Sequence, residues 1–218
     1  MSSFVSTLTD NWPLFRDAFL NTIELFVIAG LASLVFGTVL GTFRVSPVPA
    51  LRAFGTGYVN LVRNTPLTLI FFFVTFGFPY LQINLSFFVF AVIALSVYHS
   101  AFVCEVVRSG INTVPPGQAE AARAIGLTFS QVLGLVVLPQ AVRAVVPPLT
   151  STMNALLKNT TIAAGFSVAE AGAIRANLSE LGYPALSGLL WVVIGFLILV
   201  LPLSYTQRRL ERSWAMAR

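Results

Sequence analysis

Three side chains of types that enzymes use in catalysis, His99, Cys104 and Glu105, lie close together in the stretch SVYHSAFVCE, residues 96–105. A histidine can act as a general base and activate a nearby thiol as a nucleophile. In a helix of about 3.6 residues per turn, however, the five-residue spacing of His99 and Cys104 corresponds to about 140° around the axis. The two side chains therefore do not share a face, and an enzyme built on these three residues is disfavoured.

Each of the three residues has a simpler interpretation. Cys104 is the only cysteine of the chain, which excludes an internal disulfide and leaves no metal-binding cysteine motif. Glu105 is expected to pair with an arginine such as Arg108, which is its neighbour on a helix surface. His99 either packs through a hydrogen bond or lines a pathway, and both possibilities stay open at this point.

A second group of polar side chains lies further along the chain. Thr152 and Asn159 are seven positions apart, which is two helical turns, so they lie on one face of a helix. Asn64 and Thr65 come just before a proline, and they either cap a helix end or face a cavity. The full polar group comprises Thr150, Ser151, Thr152, Asn154, Lys158, Asn159, Thr160 and Thr161.

The composition indicates what kind of protein must position these residues. Of 218 residues, 56% are hydrophobic and only 10% are charged, whereas soluble domains contain roughly 25% charged residues. We therefore expect an integral membrane protein in contact with lipid, with residues 1–218 forming one unit. The net charge of +5 comes from basic residues at segment ends, which indicates membrane topology and no nucleic-acid partner. Polar groups at membrane depth are then candidate functional residues.

Five segments approach the roughly 20 apolar residues that a spanning helix needs. The predicted spans cover residues 18–43, 56–80, 86–107, 132–157 and 184–206. The second span carries the sequence RNTP near its start, and the fourth is expected to be interrupted at Pro139 and at Pro147-Pro148. Such interruptions are tolerated where protein or a water-filled cavity covers the freed backbone groups. They indicate either a transport pathway or simple kinks in a packed bundle.

The basic residues predict the orientation of these spans. With the N-terminus outside, all but three of the 13 basic residues fall on or near the cytoplasmic side, the exceptions being Arg16, Lys158 and Arg175. This is a strong positive-inside bias. We therefore expect the C-terminus in the cytoplasm. The cytoplasmic set is Arg44, Arg52, Arg63, Arg108, Arg123, Arg143, Arg208, Arg209, Arg212 and Arg218.

A short polar stretch, PPGQAEAARAIGLTFSQVLGLVVLPQ, residues 115–140, separates the third and fourth predicted spans. Its alanine-rich beginning predicts a helix over about residues 118–126 on the cytoplasmic side. Gly126 suits a left-handed cap at the end of that helix. Thr128 and Gln131 have the spacing of a capping box at the start of the next. From these residues alone, the first helix is either an ordinary surface helix or a docking element.

The same stretch resembles the EAA motif of the membrane-spanning subunits of bacterial ATP-binding-cassette (ABC) importers. Glu120-Ala121-Ala122, Gly126, Val136 and Leu138-Pro139 have the spacing of that motif, with valine where isoleucine is commoner. The resemblance covers nearly the whole chain and is greatest to polar amino acid permeases, among which the glutamate-type permeases of actinobacteria look most similar. It is carried by NLVRNTPLTLIFFF (60–73), EVVRSGINTVPPGQAEAARAIGL (105–127), LPQAVRAVVPPL (138–149) and LLKNTTIA (156–163).

The resemblance implies an all-α, five-span type I ABC importer permease fold in the bacterial cytoplasmic membrane. The short helix would be a coupling helix that docks on a dimer of ATP-binding subunits. The chain has no phosphate-binding loop of the form G-x-x-x-x-G-K-[ST], so it is expected to hydrolyse no ATP and to hold no cofactor, with ATP-Mg bound by the partner. The other implied partners are an extracellular amino acid binding protein and a second permease, with a homologous one favoured over an identical copy. The implied coupling residues are Gln118, Ala119, Glu120, Ala121, Ala122, Arg123 and Gly126.

The resemblance also implies a central substrate cavity. Relatives that carry cationic amino acids are expected to have carboxylates at the positions of Thr152 and Asn159, and here both side chains are neutral. Because an unpaired buried charge is costly, we predict alternating-access import of glutamate, or else of glutamine or aspartate. The alternative function is a secondary transporter or channel that is not coupled to ATP. The candidate substrate-binding residues are Asn64, Thr65, His99, Thr152, Lys158 and Asn159.

Overall fold

A computed structural model describes residues 2–215, so the cytoplasmic position expected for Arg218 lies outside the described residues. The regular elements of this part are all helices. They are α1 (Ser2–Thr9), α2 (Trp12–Val45), α3 (Pro49–Arg63), α4 (Leu67–Tyr80), α5 (Phe87–Asn112), α6 (Pro116–Ala124), α7 (Phe129–Phe166), α8 (Ile174–Glu180) and α9 (Ala185–Ala215), with a short 3₁₀ turn, Ala171–Ala173, directly before α8.

Four of these helices are long and apolar enough to cross a membrane. They are α2, α5, α7 and α9, and the bent pair of α3 and α4 would make a fifth span if it crosses as one unit. The prediction of an all-helical membrane protein is confirmed. The helices extend beyond the predicted hydrophobic segments; α2, for example, begins at Trp12 instead of residue 18, with Pro13 in its first turn, where no backbone donor is needed.

The second predicted span is divided by a sharp bend of 102° between α3 and α4. Pro66 lies at this bend, where the absence of a backbone N–H favours the end of a helix. The side chains of Asn64 and Thr65 donate hydrogen bonds to the carbonyls of Asn60 and Leu61, at 2.7 Å and 2.8 Å. These two polar residues thus satisfy the open carbonyls at the end of α3.

The expected interruption of the fourth span at its prolines is wrong, because α7 runs through all three of them. Pro139 lies in the first turn of the α-helical part, Leu138–Asn159, directly after a π-helical segment, Val132–Val137. The wider turn of that segment changes the hydrogen-bond register before the proline, so no helix break is needed. Pro147 and Pro148 lie inside the helix without ending it.

The most extensive helix contact among the described residues is between α2 and α5. Ser33, Gly37 and Gly41 lie four residues apart on α2 and are all buried. A Cβ atom added to Gly37 would lie 2.6 Å from Cγ1 of Val103 and 2.7 Å from the backbone oxygen of Ser100. Small residues at this spacing allow two helix backbones to approach closely in a membrane. The glycines therefore fix the distance between α2 and the helix that carries His99.

The core lies around α5. In its most apolar stretch of 18 residues, 56% of the residues are buried, against 11% in the corresponding stretches of α7 and α9. Its main cluster includes Leu25 of α2, Phe71 of α4, Phe90 and Leu95 of α5, and Leu156 of α7. The outward faces of α2, α7 and α9 expose many large apolar side chains. These faces are suited to lipid or to partner subunits.

Candidate functional site

A cavity of about 280 Å³ lies between the middle parts of α5 and α7. It is lined by Tyr98, His99 and Phe102 from α5 and by Ser151, Thr152, Ala155 and Asn159 from α7. The spacing of these residues follows the helical periodicity, so each helix presents one face to the cavity. None of the seven lining side chains is a carboxylate or an ammonium group, and the lining is therefore neutral or weakly basic.

His99 and Asn159 form the polar end of this cavity. His99 is only 1% exposed, and its Nε2 lies 3.2 Å from Nδ2 of Asn159. Since an amide nitrogen can only donate, this contact corresponds to an imidazole that accepts at Nε2 and carries its proton on Nδ1. That Nδ1 is buried and has no partner within the described residues. His99 is thus a packed, hydrogen-bonded residue that also lines the cavity, and its role in a transport pathway stays a prediction.

Thr152 and Asn159 share one face of α7, as the spacing predicted. The hydroxyl of Thr152 donates to the backbone oxygen of Pro148 at 3.1 Å, so its oxygen lone pairs remain available to accept a hydrogen bond. The side-chain nitrogen of Asn159 donates to His99, so the side-chain carbonyl oxygen of Asn159 is left as a hydrogen-bond acceptor. Together, these groups can bind neutral donors or an ammonium group and, through the hydroxyl of Ser151, a carboxylate.

Three of the predicted substrate-binding residues do not line the cavity. Asn64 and Thr65 are at the end of α3, where they bond to backbone carbonyls. Lys158 is exposed and is not among the lining residues, although it is seven residues from Ser151 and therefore lies near the same side of α7. The sequence analysis missed Tyr98, Phe102 and Ala155, although Phe102 is three residues after His99 and Ala155 three after Thr152. It named Ser151 in the polar group but not among the substrate-binding candidates. A search for helical neighbours of the polar residues would have found them.

An arginine cluster, defined as Arg44, Arg63, Arg108 and the shared acceptor Glu105, lies at the end of the cavity marked by Phe102. Glu105 forms ion pairs with Arg44 and with Arg108, the latter at 3.0 Å, and a longer one of 3.8 Å with Arg63. The expected pairing of Glu105 with Arg108 is confirmed. Three guanidinium groups share one carboxylate, which leaves a local charge of +2.

Helix α6 lies beyond the end of α5 and has the caps that the sequence predicted. Gly126 has a φ of +89°, and the N–H of Leu127 bonds to the carbonyl of Ala122 at 3.2 Å, which closes the helix. The capping box of Thr128 and Gln131 is also present at the start of α7. Glycine is required at position 126 because a side chain strains this left-handed backbone.

The exposed surface of α6 matches most, but not all, of the predicted coupling residues. Gln118, Glu120, Ala121, Arg123 and Gly126 are exposed and Ala119 is partly exposed. Ala122 is only 6% exposed, because α6 packs on the start of α7 around the buried Val132. The predicted contact of Ala122 with a partner subunit stays a prediction; within this chain its methyl group packs against the start of α7. Ile125 and Phe129 add exposed apolar surface beside the helix.

A buried carboxylate lies outside the spans, in the segment between α7 and α8. Glu170 is fully buried, and its carboxylate accepts hydrogen bonds from the Thr22 hydroxyl at 3.1 Å and from the Gly172 N–H at 2.7 Å. The Asn21 side chain donates to the Ala169 carbonyl at 2.8 Å and holds the same segment. Burial raises the pKa of Glu170 to about 7, and these hydrogen bonds oppose that rise.

Comparison with known proteins identifies the class to which this arrangement belongs. The chain belongs to the family of binding-protein-dependent transport system inner membrane components, which matches residues 33–215. It is therefore the membrane-spanning permease subunit of an ABC importer, a subunit that does not itself hydrolyse ATP. The predicted multi-pass location in the inner membrane is confirmed, and the family implies an ATPase partner and a binding protein.

Several individual relatives are similar along almost their full length. The glutamate transport system permease protein GluC of Corynebacterium efficiens is 42% identical over 97% of this chain and 99% of its own. The probable glutamine ABC transporter permease protein GlnM of Bacillus subtilis is 36% identical over 96% of this chain and 99% of its own. Full-length coverage of permeases also argues against the alternative of a transporter that is not coupled to ATP.

Solved structures agree with the fold. A crystal structure of an amino acid ABC transporter with histidines has a TM-score of 0.89 and 25% identity, over 96% of this chain and 98% of that chain. The methionine ABC transporter MetNI in an inward-facing conformation has a TM-score of 0.75 and 22% identity, over 94% and 98%. The resemblance to amino acid ABC permeases that the EAA motif indicated is confirmed.

Proposed function

We propose that this permease moves glutamate into the cell by alternating access, with glutamine and aspartate as further candidate substrates. The observation that carries the proposal is the neutral, hydrogen-bonding cavity of His99, Thr152 and Asn159, which contains no carboxylate. A cationic side chain would be desolvated there without a counter-charge, which is strongly unfavourable. An anionic side chain would meet the same cost in the neutral lining, but the arginine cluster, with its local charge of +2, lies next to Phe102 at one end of the cavity. The similarity to the glutamate permease GluC supports the same substrate class.

The proposed substrate contacts are restricted to residues that line the cavity. The α-ammonium group can donate to the Asn159 carbonyl and to the Thr152 oxygen, while the hydroxyl of Ser151 can donate to a carboxylate. The Tyr98 and Phe102 rings provide the apolar walls that enclose the aliphatic part of the substrate. Asn64, Thr65 and Lys158 are left out of this set because they do not line the cavity.

The proposal includes the orientation and the energy coupling. With the N-terminus outside and the C-terminus inside, α6 and the arginine cluster lie on the cytoplasmic side, in accord with the positive-inside rule. The short helix α6 would dock on the ATP-binding subunit through its exposed Gln118, Glu120 and Arg123. The neighbouring Ile125, which is 80% exposed, and Phe129, which is 67% exposed, supply apolar contact area for this docking.

The assembly we propose contains two permeases. Residues 1–218 would act as a single transmembrane domain, whose exposed apolar faces on α2 and α7 are available for a second permease. We favour a homologous partner over an identical copy. Purification of the native complex followed by mass spectrometry of its subunits would decide, since an identical pair would give a single permease.

Uptake measurements on a charge-altered cavity test the proposed substrate. The double variant Thr152→Glu with Asn159→Asp places two carboxylates where the substrate binds. We expect glutamate uptake to fall about tenfold or more through like-charge repulsion, because two partly buried charges 4 Å apart interact by several kcal/mol. Uptake of labelled glutamate, glutamine and arginine is measured in cells that express the complete transporter.

The matched control is Thr152→Gln, which has nearly the same size as the glutamate variant but no charge. It should retain more glutamate uptake than the double variant. Equal amounts of co-purified ATPase in all variants establish that the complex is assembled. Unchanged glutamate uptake in the double variant, or a wild type that prefers arginine, would contradict the proposed role of this cavity.

A further inference from the structure

The arginine cluster contains more positive charge than its own structure needs. Glu105 already has two closer partners, Arg44 and Arg108, whose side chains are 11% and 35% exposed. Arg63 is the third cation on the same carboxylate, at the longer distance of 3.8 Å, and no hydrogen bond of its guanidinium is found within residues 2–215. Because the Arg63 side chain is 45% exposed, its guanidinium can be reached by a further anion.

Helix α3, which ends at Arg63, is fixed against α5. The hydroxyl of Tyr58, on α3, bonds to the Val97 carbonyl at 2.8 Å and to the Ser100 hydroxyl at 2.7 Å, which fixes α3 against α5. Val59 and Val62 are buried in the same contact. Arg63, the last residue of α3, therefore has a defined position, yet its side chain remains 45% exposed.

The guanidinium of Arg63 is also a neighbour of the cavity. Its Cζ lies 5.3 Å from the centre of the Phe102 ring, and the same ring lines the cavity next to His99. His99, Phe102 and Glu105 are three residues apart on α5, so the cavity and the arginine cluster are separated by about 9 Å along the helix. A ligand that leaves the cavity along Phe102 comes within reach of Arg63.

We propose that Arg63 receives the carboxylate of an anionic amino acid as it leaves the cavity, and that it thereby favours substrates with a net negative charge. This inference rests on the proposed function, since it deepens the substrate assignment of the same cavity. Arginine is suited to the role because its planar group can donate two parallel hydrogen bonds to a carboxylate. The ring of Phe102 orients the guanidinium through a cation–π contact.

Binding measurements on the complete complex test the inference. The permease is reconstituted in nanodiscs with its ATPase and its second permease but without the binding protein. Any preference among amino acids then comes from the permeases themselves. Labelled glutamate and labelled glutamine are compared, because they have nearly the same shape and differ in charge, and labelled arginine is measured as the cationic reference. We expect Arg63→Gln to weaken glutamate binding about tenfold, as for the loss of one charge-assisted hydrogen bond, and to change glutamine binding by less than about twofold.

Two control variants separate charge selection from a structural role. Arg52→Gln, on the same helix, removes an exposed cation that makes no ion pair within the described residues. It should leave the binding of both glutamate and glutamine unchanged. Arg63→Lys keeps the charge and should keep most of the preference for glutamate. If Arg63→Gln does not assemble, the wild type is titrated with salt, which should screen away part of the preference for glutamate.

The outcomes distinguish this inference from the proposed function. If the wild-type complex binds glutamate no better than arginine, the substrate assignment fails and the role of Arg63 fails with it. A second outcome is that the wild type prefers glutamate, but Arg63→Gln weakens the binding of both substrates equally or of neither. Arg63 is then a structural residue, and only the inference fails. A preference that is insensitive to salt in the wild type would likewise overturn it.

Discussion

Replacement of Gly37 by alanine tests whether the close approach of α2 and α5 sets the architecture of the cavity. In an open helix position, alanine is more favourable than glycine by about 1 kcal/mol. At Gly37, the added Cβ would lie 2.6 Å from Cγ1 of Val103 and 2.7 Å from the backbone oxygen of Ser100. A backbone atom cannot rotate away, so the two helices must separate by most of an ångström.

The expected magnitude follows from these two opposing effects. Overpacking of a well-packed interior typically destabilises by about 1–3 kcal/mol, and forced separation of two helix backbones falls at the upper end of that range. After subtraction of the gain in helix propensity, we expect Gly37→Ala to destabilise by about 2 kcal/mol. For a chain of this length, that corresponds to a decrease in Tm of roughly 4–8 °C.

The assay is thermal unfolding of the purified transporter, with Gly57→Ala as the matched control. A Cβ at Gly57 would meet nothing within 4 Å, so this variant should be neutral or slightly stabilising. Because His99 is carried by α5, Gly37→Ala should also reduce uptake at temperatures where it is still folded. Equal Tm values for the two variants would show that α2 and α5 are not in close contact.

Three further predictions concern other parts of the chain. Gly126→Asp should abolish transport and weaken co-purification of the ATPase, because it strains the left-handed cap and adds a charge beside α6. The control Gly117→Asp, at an open helical position, should retain assembly. A cysteine at Asn84 should react with an impermeant reagent in intact cells and one at Gln118 should not; the reverse result would invert the proposed orientation. Because the pKa of Glu170 is raised to about 7, the folded state binds the proton more tightly, so stability should fall as the pH rises from about 4.5 to about 7. Glu170→Gln should flatten that pH dependence of the Tm, and an unaltered curve would exclude Glu170 as its cause.

The sequence predicted the helical content, the caps of α6 and the shared face of Thr152 and Asn159, since all of these depend on local spacing. It did not predict the bend at Pro66 as a 102° turn or the continuity of α7 through Pro147. Both depend on which hydrogen-bond partners the neighbouring backbone N–H and C=O groups have. The π-helical hydrogen-bond register before Pro139 has no simple signature in the residue pattern.

The candidate site was predicted from its polar residues alone, which explains what was missed. Phe102 looks like an ordinary packing residue until its position between the cavity and Arg63 is known. Asn64 and Thr65 were expected at the cavity, but their side chains bond to the preceding turn of α3. The sequence offered both roles, and only the three-dimensional position of the helix end distinguishes them.

The packing of α6 on α7 around Ala122 and Val132 has a mechanical consequence. Since the short helix is fixed to the start of a long one, the two can turn together as a lever. Thr152 is 23 residues from Phe129, which is about 35 Å along a helix. If α7 tilts by about 5° about the end that carries α6, Thr152 in the cavity wall moves by about 3 Å. That displacement is roughly the length of one hydrogen bond.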